Sequence, residues 1–175
     1  MNIFYNIDCR FHYSIICILY VVLSSCEINQ IERKKTEGRV IDSVSEWIQL
    51  AKDPKIEKGK QLQFLRLSND QLLLSKNDSF KVKKLLRIAD RYYELDQDSL
   101  FLEINDVVFD LAKKMNNTAA IAEYHWNKGN VFSDNEVLDS AFHHYNKAHD
   151  LYTTLNHEYY RSKMAYNMSF IEFRI

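Results

Sequence analysis

The chain has 175 residues with 23 Lys+Arg against 24 Asp+Glu, so no bulk field points towards nucleic acid or an anionic surface. Three Gly and one Pro leave few of the residues that punctuate sheets and tight turns. A hydrophobic share of 46% excludes a disordered chain, and the whole predicts one all-α domain of long helices with room for a targeting segment.

Residues 1–25 read as a signal peptide. Arg10 gives a weak positive start, partly offset by Asp8, and residues 15–23 (IICILYVVL) form an unbroken apolar run. Such a run is too short to span a bilayer of about 30 Å hydrocarbon and has the length of a signal-peptide core. Leu23-Ser24-Ser25-Cys26 resembles the lipobox of bacterial lipoproteins, which implies cleavage before Cys26 and lipid attachment at its thiol. An uncleaved anchor over residues 11–23 is the alternative. Cys9 and Cys17 would leave with the signal and no Cys follows Cys26, so neither a disulfide framework nor a thiol zinc site is expected in the folded part. The resemblance implies a membrane-anchored lipoprotein of the bacterial cell envelope, since several lipid chains hold a protein firmly to a bilayer.

Residues 26–38 are polar and aperiodic and read as a tether. Residues 39–76 read as a degenerate helical hairpin. Val40, Ile41, Val44, Trp47, Ile48 and Ala51 recur on one helix face, and Asp53-Pro54 is expected to cap and open the second helix. That helix carries Leu62, Leu65 and Leu72 to Leu74, interrupted by Ser68-Asn69-Asp70.

From residue 77 to 175 the pattern sharpens into TPR-like repeats, the last one truncated. Asp78-Ser79 predicts the cap of a helix to about Leu95, with Val82, Leu85, Leu86, Ile88, Ala89, Tyr92 and Tyr93 on its inner side. Further helices are expected at about 99–115, 118–133, 137–154 and 157 to the end. In the helix at 99–115 the inner face is Phe101, Ile104, Val108, Leu111 and Ala112. Connections of a few residues make successive helices antiparallel.

An offset of 40 residues brings Ala89, Gly129 and Ser169 into register, with Tyr92 on Phe132, Leu111 on Leu151 and Trp126 on Tyr166. Two helices per period at this length is the pattern of an α-solenoid. Residues 122–155 resemble a tetratricopeptide repeat. Gly129 and Phe132 fit the small-x-x-aromatic pattern of its first helix, and Ala141, Tyr145 and Ala148 fit the spacing of its second. The upstream unit departs at Phe101 and Asn105, the second has Lys128 at an apolar place, and the closing proline is missing. The resemblance implies a right-handed α-solenoid of antiparallel helical hairpins that binds a protein or peptide; a generic helical bundle is the alternative. The first helices would line the concave side, with Tyr92, Tyr124, Trp126, Asn127 and Tyr166 as partner-binding residues. Some members of that family clamp a carboxylate with Lys and Asn. Asn127, Lys163 and Asn167 match, but Leu86 and Asp90 stand where a further Lys and Asn are needed.

The arrangement also resembles the N-terminal sensory region of Bacteroidetes histidine kinases and transcriptional regulators, which makes a truncated input region of a signalling protein the second reading. In the final helix Met164, Ala165, Met168, Ile171 and Phe173 form an apolar surface, so self-association through it is expected. No phosphate-binding glycine loop, nucleophile elbow or zinc-protease pattern is present, so no catalytic residue, cofactor or enzyme activity is expected. His125, His143, His144, His149 and His157 lack the i,i+4 pairing of a helical metal site, and none is expected to hold metal. Lys81, Lys83, Lys84 and Arg87 read as a solvated face rather than a nucleic-acid contact.

Overall fold

A computed structural model describes residue 38 and residues 42–174. The expected signal segment, Cys26, nearly all of the tether, Val40 and Ile41 lie outside them. Among the described residues every regular element is helical. Helix α1 covers residues 42–50, followed by α2 (Lys58–Leu73), α3 (Ser79–Glu94), α4 (Asp98–Lys114), α5 (Thr118–Asp134), α6 (Leu138–Thr154) and α7 (Glu158–Arg174). The principal contacts from α2 to α7 join helices that are neighbours in the chain.

The regularity from α3 onwards comes from one repeated turn. Asp96, Asn116, Glu136 and Asn156 all have left-handed backbones, with φ of 55°, 53°, 60° and 53°. On either side of each the same two hydrogen bonds close the helix. At the first, the Asp96 N–H donates to the Tyr93 carbonyl (3.0 Å) and the Gln97 N–H reaches back to Tyr92 (2.9 Å). The long bond recurs as Asn117 to Ala112, Val137 to Phe132 and His157 to Tyr152. This is a Schellman stop, which satisfies helix-end carbonyls that would otherwise be orphaned. Glycine is the usual residue there, but Asn and Asp tolerate the conformation because their short side chains bond locally. Glu136 has no such excuse.

Helix starts are less uniform. The Asp78 carboxylate accepts the Lys81 N–H at 2.9 Å and the Asn117 side chain accepts that of Ala120 at 3.2 Å, whereas Gln97 and Val137 provide no side-chain cap. The expected cap at Asp53-Pro54 is not formed. Asp53 instead closes a turn, its carboxylate accepting the Lys55 N–H at 2.9 Å and its carbonyl the Gln61 amide at 2.8 Å, and α2 begins four residues beyond Pro54 with Glu57 as N-cap. The polar stretch in α2 does not break it. Buried Ser68 donates to the Phe64 carbonyl (2.9 Å) within the helix, a local bond that lets a hydroxyl be buried.

The core follows the expected inner faces closely. Val82, Leu85, Leu86, Ile88, Ala89 and Tyr92 of α3 are buried, as are Phe101, Ile104, Val108, Leu111 and Ala112 of α4. Between α5, α6 and α7 lies a cluster of Ala122, Ala141, Tyr145, Ala148, Tyr152, Met164 and Ile171, with Phe132 packed against it. Tyr93, expected inside, is instead exposed, and its hydroxyl donates to the Asp134 carboxylate at 2.5 Å. Gly129 marks a close approach of α5 to α6: a Cβ there would lie 2.6 Å from the Tyr145 ring. That ring is held by burial and by its hydroxyl, 3.0 Å from the Asn130 side-chain oxygen. Ala89 is likewise buried, while Ser169 is exposed.

Two opposite glycine effects follow. Gly129→Ala is expected to lower stability by about 1–2 kcal/mol in denaturant titration, because overpacking outweighs the gain in helix propensity. Glu136→Gly is expected to raise it by about 0.5–1 kcal/mol by relieving the left-handed strain. Its ion pair with Arg174 (3.4 Å) is mostly exposed and offsets little.

Candidate binding surface

Helices α3, α5 and α7 share one side of the assembly. The Tyr93 hydroxyl of α3 meets Asp134 of α5, and Lys163 of α7 lies 4.3 Å over the Trp126 ring of α5. A hollow of about 150 Å³ opens between Ser133, Tyr145, Tyr166, Asn167 and Phe170. Positions 40 residues apart supply this surface: Trp126 and Tyr166, then Asp90, Asn130 and Phe170, whereas Leu86, the α3 counterpart of Trp126, is buried.

Of the five partner-binding residues expected from the sequence, this arrangement exposes chiefly one. Tyr166 is 71% exposed. Trp126 is partly buried against the α5–α7 core, with Tyr160 at 5.7 Å between ring centroids, and its ring face lies beneath Lys163. Tyr124 turns towards α4, stacked on Phe109 at 4.2 Å, and burial together with Asp106 and Asp110 pushes its hydroxyl up to about 12. Tyr92, which the sequence places on the inner side of α3 as well as among the partner-binding residues, is buried, with Arg66 and Asp70 of α2 and Glu103 of α4 as its charged neighbours. Asn127 is buried too. Its amide donates at 2.7 Å to Asn105 of α4, whose own amide donates to the Phe101 carbonyl at 2.8 Å. The five-residue set is therefore split between core and surface. The clamp position Asn127 is occupied by this internal bond.

Glu123 is the electrostatic exception on the shared side. Burial, with the Asp90 carboxylate adding to it, pushes its carboxyl up to about 7, so it is part-protonated near neutrality. It has neither an ion pair nor a hydrogen bond among the described side chains. Nothing in the local sequence signals this, because Asp90 and Glu123 become neighbours only when α3 and α5 are brought together.

On the opposite side a shallow pocket of about 420 Å³ is lined by Phe109, Lys113, Ile121, His125, Lys147, Asp150 and Leu151. Behind it the Nδ1 atoms of His125 and His144 are 3.0 Å apart, and burial lowers both to about 4. Nearby Lys147 and His143 add to the depression, so both rings are neutral at ordinary pH and one donates to the other. The pair spans α5 and α6 at a separation of 19 residues, so the spacing along a single helix does not reveal it. Among the described residues no group of three or more His, Cys, Asp or Glu is placed to hold a metal ion, and no helix is long and apolar enough to cross a membrane.

Two of the four residues of the basic cluster are spent internally, while Lys83 and Arg87 are exposed. Lys81 is buried and donates to the Leu73 and Ser75 carbonyls and to the Asn77 side chain, at 3.1–3.2 Å. Lys84 donates to Ser45 at 2.7 Å. Compared with family models, with curated proteins and with solved structures, the chain matches none.

The Glu123 carboxyl sets a pH test. Its folded pKa is raised above the unfolded value, so the stability it allows is complete below about 4.5 and is lost as pH rises through about 7. Glu123→Gln is expected to stabilise the protein by about 1–2 kcal/mol at pH 8 and hardly at all at pH 4.5, read from thermal melts.

Proposed function

We propose that the chain is a non-catalytic protein-interaction module of the tetratricopeptide type, a right-handed α-solenoid held at a bacterial membrane through lipid on Cys26. The observation that supports the solenoid is the single turn geometry at Asp96, Asn116, Glu136 and Asn156, spaced 20 residues apart, which gives each helical hairpin the same 40-residue length. Identical turns relate each hairpin to the next by one repeated operation, and that is how stacked helical repeats generate an extended binding face. The face supported here runs over α3, α5 and α7. It combines aromatic rings at Tyr93, Trp126, Tyr166 and Phe170 with carboxylates at Asp90, Glu94, Glu123 and Asp134. Aromatic anchors dominate the energetics of such surfaces, while the surrounding charges set which partner is admitted.

Two measurements test this reading. A photo-crosslinking benzoylphenylalanine in place of Tyr93 is expected to trap a discrete partner in cells, with a mass other than a dimer of this chain. The same group in place of Lys147, on the far side, should not trap it. Equal trapping at both places, or none at Tyr93, rejects the binding face. For the anchor, palmitate labelling should be present in the natural chain and lost in Cys26→Ser; labelling that survives the substitution rejects lipidation at that thiol.

A further inference from the structure

Helix α7 carries two stripes of three- and four-residue spacing, back to back, and in the outer one the two spacings alternate. The inner stripe, Tyr160, Met164, Met168 and Ile171, packs on α6 and the core cluster. The outer stripe is Tyr159, Ser162, Tyr166, Ser169 and Phe173, with Tyr159, Tyr166 and Phe173 exposed at 67%, 71% and 89%. Large rings therefore alternate with serines along a surface that the described residues leave open. An exposed apolar strip of this kind marks an interaction surface, and its spacing is that of a coiled-coil seam.

The flanks of the outer stripe say what covers it. One flank carries Lys163 and Phe170, the other Glu158, Ala165 and Glu172. In a parallel pair of identical helices each flank meets the opposite flank of the other copy; in an antiparallel pair each meets its own kind. Parallel pairing thus brings Glu158 against Lys163 of the second copy and Ala165 against Phe170 of the second copy, opposite charge on charge and small on large. Antiparallel pairing would set the Lys163 flank against itself. We propose that the outer face of α7 docks a second copy of this chain as a parallel two-fold pair, with Tyr159, Tyr166 and Phe173 each meeting their counterparts and the serines leaving room for the rings.

The side chains concerned are available. Glu158 is tied only to Arg161, at 3.8 Å, and Lys163 only to the face of Trp126. An open hollow of about 660 Å³ lies over Glu158, Tyr159, Ser162 and Lys163, the first turn of the seam. Because α7 is already folded on α6, pairing does not have to pay for helix formation.

The test is a charge swap on the full chain in non-ionic detergent, read by sedimentation. The natural chain should dimerise below about 100 µM. Glu158→Lys alone and Lys163→Glu alone should each weaken the dimer by about tenfold or more, since two pairs turn from attraction to repulsion. The double swap should restore it. Ser169→Cys should form a covalent dimer under mild oxidant above the level of the natural chain, because seam positions meet themselves only in a parallel pair, whereas Lys147→Cys should not. A natural chain that stays monomeric at about 100 µM, association indifferent to the single swaps, or no added cross-link from Ser169→Cys overturns the proposal.

Discussion

The structure depends on the left-handed residue that ends each helix from α3 to α6. A Schellman stop fixes where the chain leaves the helix, and two residues after its left-handed residue the next helix begins. With so short a connection the following helix has no choice but to run back along the one before it. Helix length, hairpin pairing and the level at which side chains meet all follow from that one backbone conformation. The apolar stripes decide which faces turn inward, but the turns decide which residues on those faces are opposite one another.

Within that frame the polar interior is sparing and bonded. Asn105 and Asn127 join α4 to α5 by a buried hydrogen bond between their side-chain amides, and each apolar alternative for one of them would strand the other. Such a pair penalises any sliding of the two helices, which a purely aliphatic contact would tolerate. Lys81 plays a related part at the end of α2, where its ammonium gathers the last carbonyls of a helix that lacks the stop used later in the chain. His125 and His144 bond across the next hairpin. The pairs α2–α3, α4–α5 and α5–α6 thus each have their own polar fastening.

The helices after Asp78 were legible because amphipathic spacing and turn residues agreed there. The boundaries read from Asn116-Asn117 and Asp78-Ser79 fall within a residue or two of the observed ones. Asp53-Pro54 misled because an Asp before Pro fits a tight turn as well as a cap, and the Gln61 amide that settles the matter lies eight residues further on. The binding surface was only half legible. Periodicity places Tyr92 and Asn127 on α3 and α5 without saying which side each neighbouring helix will cover, and both proved to be buried, Tyr92 near residues of α2 and α4 and Asn127 against α4. Glu123 and the His pair depend on contacts between helices, which a reading of one helix at a time does not contain.

The spacing of the stops has a consequence for how such a chain can change length. Asp96 and Glu136 differ by 40 positions, as do Asn116 and Asn156. A duplication or loss of that many residues, wherever its ends fall between α3 and α7, rejoins the strand in phase and keeps every later helix pointing the same way. A change of half that length would reverse the direction of everything downstream. Tandem gain and loss of whole hairpins by recombination is therefore the change in size this architecture absorbs with least disturbance.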